Sequence, residues 1–122
     1  MASHPSVEAL RDVVVGRLDR YLAELAQLVN IDCGSYTRDG VNRVADFCEA
    51  ALRELGASVH RTTHERYGDL VIGQAAGAGP RVLLIGHTDT VFDEGTAARR
   101  PFRVDGDRAL GPGVTDMKAG LL

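Results

Sequence analysis

Val82-Leu83-Leu84-Ile85-Gly86-His87-Thr88-Asp89-Thr90-Val91 is the stretch on which the fold turns. Its first four residues are uniformly apolar, the pattern of a strand covered on both faces rather than one with a solvent side. They are therefore expected to lie in the middle of a sheet. Polar residues follow at once, where such a strand would leave the core. In an open α/β sheet ligands sit outside the carboxyl ends of the strands, because side chains there face a crevice. His87 falls at that edge.

Upstream, Ala57 to Thr62 and Asp69 to Gln74 also read as strands, and the turn-rich Gly77-Ala78-Gly79-Pro80 separates them from the run Arg81 to Gly86. Before them, Val41, Val44, Ala45, Cys48, Ala51, Leu52 and Leu55 form one helical face. Asp39 can cap the start of that helix, and Gly56 stands where a left-handed C-cap glycine belongs. Between Ser6 and about Val29, Val7, Leu10, Val14, Leu18, Tyr21, Leu22, Leu25 and Leu28 recur at three- and four-residue steps. This predicts a single amphipathic helix with Ser6 as its N-cap. Downstream, Phe102-Arg103-Val104 and Arg108-Ala109-Leu110 flank Asp105-Gly106-Asp107, a hairpin pattern. Gly111-Pro112-Gly113 then breaks the chain, and Asp116 to Leu122 begins like a helix. Helices and strands in these proportions imply an α/β layer architecture.

The 122 residues, 44% hydrophobic and 25% charged, fit one modest globular domain and no second core. A formal charge of -3, evenly spread, gives no nucleic-acid surface and no acidic tail. Arg11, Asp12, Arg17, Asp19 and Arg20 interrupt the first thirty residues, so neither a signal peptide nor a membrane span is expected there. A cytoplasmic location is the default expectation. Cys33 and Cys48 have no redox or zinc spacing and are expected to be free thiols, Cys48 as a small buried hydrophobe.

His87 and Asp89 are two apart on an extended segment and project to the same side. A neutral imidazole is a common zinc ligand, and it binds best when its other ring nitrogen donates to a carboxylate. His-x-Asp alone reads equally as a strand-end hydrogen bond. Asp116 also has two readings. An aspartate opening a helix is commonly an N-cap; a carboxylate can also bridge two cations in a two-metal hydrolytic site.

Taken together and in order, Leu83-Leu84-Ile85-Gly86-His87-Thr88-Asp89-Thr90-Val91-Phe92 and Pro101 through Gly120, with Gly111-Pro112-Gly113-Val114-Thr115-Asp116-Met117-Lys118-Ala119-Gly120 at its end, closely resemble the M20 zinc metallopeptidases, in their glutamate carboxypeptidase-like branch. Leu28-Val29-Asn30-Ile31, Gly34-Ser35 and Gly40-Val41-Asn42 are similar to the same branch, so the resemblance covers nearly the whole chain. It implies the N-terminal part of a zinc-peptidase-like catalytic domain, an α/β fold with a central mixed sheet flanked by helices. Residues 1–122 would be a partial catalytic domain, without the lid or dimerisation domain through which full-length relatives assemble.

The same resemblance implies that His87 ligates one zinc, that the catalytic-centre aspartate Asp89 orients it, and that Asp116 bridges two zinc ions. The reaction implied is hydrolysis of a peptide or acyl-amide bond next to a C-terminal glutamate-like residue, with a small peptide or N-acyl amino acid as substrate. The general base, the remaining acidic ligands and the second histidine have no counterpart in this sequence. The alternative expectation is therefore a truncated, catalytically inactive fragment, or an interaction module. His60 and His64 read as surface residues, His4 as terminal, Asp93 and Glu94 as solvated, and Arg99 and Arg100 as a solvated loop that could also meet an anionic substrate. Lys118 could pair with a carboxylate and is given no catalytic role.

Overall fold

A computed structural model describes residues 5–122; His4 lies outside them. The expected N-terminal helix is two helices. α1 spans Val7–Val15 and α2 spans Leu18–Val29, parted at Gly16 and Arg17. Ser6 caps α1 as expected, its hydroxyl accepting from the Ala9 N–H at 3.2 Å. The apolar spacing runs unbroken across the junction, but glycine is a poor helix former and the ladder lapses there. None of the α1 residues is buried, whereas α2 buries Leu25, Leu28 and Val29. Periodicity therefore located the helical segments, and packing applies only to the second.

α3 spans Arg38–Glu54 and places Gly40, Val41, Val44 and Ala45 inward. Asp39 lies in its first turn rather than at the cap, which is Thr37 and makes no side-chain cap bond. Gly56 follows the helix with φ of +79°, the left-handed conformation expected of it. The core is assembled where the end of α2 and the start of α3 meet the loop between them: Leu28, Ile31, Cys33, Val41 and Val44, with Phe47, Cys48 and Leu121 packed against it. Both cysteines are free thiols, and burial raises the Cys48 pKa.

β1, Ser58–Thr62, and β2, Leu70–Gln74, pair antiparallel with Ser58 opposite Gln74 and Thr62 opposite Leu70. Arg61 ties this hairpin to α3. Its guanidinium donates to Asp69 at 2.8 Å and to Glu49 at 3.3 Å, and also to Asp46. The Asn42 side chain accepts from the Asp69 N–H at 2.8 Å. His60 is exposed on β1, and exposed His64 accepts from the Arg66 and Tyr67 N–H groups, which closes a local turn.

The main departure from expectation is the run Arg81 to Gly86. It forms no strand, and Val82, Leu83, Leu84 and Ile85 are 81%, 81%, 89% and 83% exposed. A strand's burial and its ladder bonds are supplied by neighbours, and β1 and β2 pair with each other instead. Among the described residues the strands make two separate two-stranded antiparallel sheets, not a central mixed sheet. The architecture is mixed α/β, compatible with part of a domain. No helix among the described residues is long and apolar enough to cross a membrane.

α4, Thr96–Arg99, is a single turn held by a distant carboxylate. Asp32 accepts from the Gly95 and Ala97 N–H groups, each at 2.8 Å. β3, Arg103–Asp105, and β4, Arg108–Leu110, form the expected hairpin, with Gly106 at φ of +61° in its turn. The closing segment is a 3-10 turn over Lys118–Leu121 rather than an α-helix. Lys118 is 1% exposed, and its Nζ donates to the Ile31 carbonyl at 2.9 Å. The Tyr21 hydroxyl donates to the Ala119 carbonyl at 2.9 Å, so this turn is fastened both to α2 and to the loop that follows it.

Two stability predictions follow from these contacts. Leu28→Ala, at a fully buried core position, should lower unfolding free energy by about 2–5 kcal/mol, whereas Leu84→Lys should change it by less than about 0.5 kcal/mol and reduce light scattering, since that side chain packs on nothing. Urea titration of both variants measures the contrast; equal losses would place Leu84 in a packed strand. The second concerns Asp32, whose carboxyl is held below its ordinary value of 3.8 by the Ala97 N–H, with Gly95 and the Lys118 and Arg99 charges assisting against desolvation. A depressed folded-state pKa adds stability above the unfolded value that is lost as pH falls through the folded one. Asp32→Asn should accordingly flatten the decline in urea midpoint below about pH 4.

Candidate active site

The segment after the exposed run is where distant parts of the chain converge. The Thr90 N–H donates to the Cys33 carbonyl at 2.8 Å, and the Ser35 N–H donates to the Thr90 carbonyl at 3.1 Å, which makes a parallel bridge between Gly34 and Thr90. This fixes residues 87–91 against the loop between α2 and α3. From the other side, the turn at Gly111 to Asp116 closes over Thr90. Gly113 has φ of +76°, and a Cβ there would stand 2.6 Å from the Thr90 methyl, so the approach requires glycine. The His87 N–H faces the Met117 sulfur at 3.3 Å.

The three residues singled out from the sequence come together as a result. His87 Nε2 lies 2.8 Å from an Asp116 oxygen, and His87 Nδ1 lies 3.1 Å from the Asp89 carboxylate and 3.0 Å from the Asp89 carbonyl. The imidazole is thus held between two carboxylates. Its pKa is raised above the ordinary value of 6.5, first by the Asp116 carboxylate and then by the Asp89 groups, with partial burial opposing. The side chains of His87, Asp89 and Asp116 are 45%, 37% and 82% exposed, so the arrangement opens to solvent. It lines a cleft of about 250 Å³ together with Val91, Phe92 and Thr115.

One member of this arrangement escaped the sequence reading. The Ser35 hydroxyl donates to the second Asp89 oxygen, across 54 positions of chain. In the sequence Gly34-Ser35 contributed only to the similarity with the M20 branch, and no local pattern says that this segment folds against Thr90. The other candidates lie apart from the imidazole. Asp93 and Glu94 are exposed; Arg99 donates to Thr96, and the Arg100 guanidinium lies 5.6 Å from the Phe92 ring centre at the cleft's margin. Lys118 meets the Ile31 carbonyl rather than a carboxylate, with the charge of Asp32 close by.

The donor set suits a zinc ion in kind. An imidazole nitrogen and a carboxylate oxygen are ordinary zinc donors, and here they stand close enough for one ion to touch both. Among the described residues no group of three or more His, Cys, Asp or Glu side chains is arranged as a complete cage.

No family model matches the chain. Over 99 residues, 79% of its length, it is 41% identical to carboxypeptidase G2 of Pseudomonas sp. (strain RS-16). The similarity is to a carboxypeptidase. The chain spans 24% of that protein's length, so the relationship with carboxypeptidase G2 covers a part of it and not its whole architecture. Identity at this level over most of the chain supports the carboxypeptidase-like relationship first indicated by the sequence.

The raised pKa of His87 has a direct check. In an NMR titration of the metal-free chain the His87 ring should keep its proton to higher pH than an ordinary histidine, and Asp116→Asn should move the midpoint down towards about 6.5. A midpoint unmoved by that substitution would mean that the two side chains are not in contact in solution.

Proposed function

We propose that the chain supplies His87, Asp89 and Asp116 to a two-zinc hydrolytic centre of the M20 metallopeptidase type. The reaction is hydrolysis of a peptide or acyl-amide bond next to a C-terminal glutamate-like residue, in a small peptide or N-acyl amino acid. One observation carries the reading: a solvent-open imidazole with a carboxylate on each ring nitrogen, at the margin of a cleft. The partial identity with carboxypeptidase G2 agrees with it.

Each side chain has a distinct task. Asp89 accepts from Nδ1 and so keeps that proton on the inner nitrogen, which leaves the Nε2 lone pair directed at the cleft. Asp116 points one oxygen at Nε2 and is largely open to solvent, so its carboxylate is available to more than one cation. Zinc, when bound, supplies Lewis-acid polarisation of the scissile carbonyl and activation of water. Gly113 and the Thr90 bridge hold the carboxylate and the imidazole at a fixed separation, which spares the site reorganisation on binding.

A second reading is favoured by the open run Val82 to Ile85 and by the count of converging donors. Hydrolytic zinc sites use three protein ligands per ion, and two metal donors meet here. On that reading the chain alone is catalytically silent, or serves as an interaction module. Calorimetric zinc titration, run beside an amide-hydrolysis assay on an N-acyl glutamate, separates the two. Zinc should bind weakly and be lost in His87→Ala and Asp116→Ala, and Asp89→Asn should weaken it about 10- to 100-fold. Binding that survives both alanine substitutions would overturn the site; binding without turnover would favour the second reading.

A further inference from the structure

The carboxylate of Asp89 is engaged at both oxygens, by His87 Nδ1 on one and by the Ser35 hydroxyl on the other. A carboxylate held at one oxygen can still swing about its χ2 torsion, which is broad for aspartate. Held at both, it presents a fixed lone pair to the imidazole. Ser35 is itself fixed, because its N–H donates to the Thr90 carbonyl one residue beyond Asp89, and the Thr37 N–H closes a turn on the Gly34 carbonyl at 2.7 Å. The hydroxyl therefore reaches Asp89 from backbone that is already bonded to the same segment.

We infer that Ser35 is a positioning residue of this site: by donating to Asp89 it locks the carboxylate that orients His87, and so sets the direction in which Nε2 offers its lone pair. The inference rests on the reading of His87 as a metal ligand, and it deepens that reading by one residue. A relay of Ser35, Asp89 and His87 passes from the loop after α2 to the cleft. Its chemistry is that of an outer partner, which raises the affinity of a ligand it never touches. No proton needs to move along it. The hydroxyl proton stays on Ser35, and the Nδ1 proton stays on the ring.

The test compares Ser35→Ala, which removes the donor, with Ser35→Thr, which keeps it, in the full chain. One readout needs no metal. At a pH where the ring is protonated, a His87 Nδ1–H resonance persists in NMR spectra only if its hydrogen bond slows exchange with water. That resonance should be present in the parent chain and in Ser35→Thr and be lost in Ser35→Ala. The second readout is zinc affinity by calorimetry, which should fall about 10- to 100-fold in Ser35→Ala and return in Ser35→Thr. A structural role alone would lower thermal stability without separating Ser35→Ala from Ser35→Thr in the ring signal. Retention of the resonance in Ser35→Ala, its loss in both variants, or its absence from the parent chain would overturn the inference. A parent chain that takes up no zinc yet shows the expected ring signals would remove the proposed function while leaving Ser35 as the anchor of Asp89.

Discussion

Two backbone hydrogen bonds, from Thr90 to Cys33 and from Ser35 to Thr90, join the helical half of the chain to the segment that carries His87 and Asp89. They span more than fifty residues and connect parts that share no regular sheet. Cys33 lies in the core beside Leu28, Val41 and Val44, so the bridge transmits the rigidity of that core to the site. Without it His87 and Asp89 would follow an exposed, unpaired run of chain. Closing so long a loop costs configurational entropy, and here the hydrophobic burial around Cys33 offsets that cost.

The second anchorage is Lys118. Its buried ammonium meets the carbonyl of Ile31, on the same loop that leads into Cys33. A buried charge is tolerated only when it is hydrogen-bonded and compensated; the Ile31 carbonyl supplies the hydrogen bond, and the nearby Asp32 charge, itself satisfied by the Gly95 and Ala97 N–H groups, supplies the compensation. Asp116 stands two residues before Lys118, so the attachment that closes the C-terminal turn also limits where that carboxylate can lie. Core, loop and site are thus coupled through residues 31–35, a stretch too short to form any regular element of its own.

The imidazole between two carboxylates has a consistent physical meaning. A protonated ring can donate to both Asp116 and Asp89, which is why its pKa rises. A cation on the Nε2 side would replace that proton and satisfy Asp116 at the same time, while Asp89 keeps its bond to Nδ1. On the proposed reading, the same geometry would serve a proton or a metal. Ser35 acts on the invariant half of the arrangement, the half that does not change between the two.

The sequence by itself determined the helical stretches that hold α2 and α3, the strands β1 and β2, the hairpin β3–β4, the Ser6 cap and the Gly56 stop, because each depends on spacing and turn chemistry within a few residues. It also singled out His87, Asp89 and Asp116, whose residue types and order were informative before any distance was known. Only the tertiary structure decided that the helical run breaks at Gly16, that Val82 to Ile85 stands exposed, that Lys118 turns inward to Ile31, and that Ser35 reaches Asp89. An apolar run records what a strand requires, but its neighbours determine whether that requirement is met. A hydroxyl or an ammonium takes its partner from whatever the folded chain brings near it, and no local pattern encodes a contact across fifty or ninety residues.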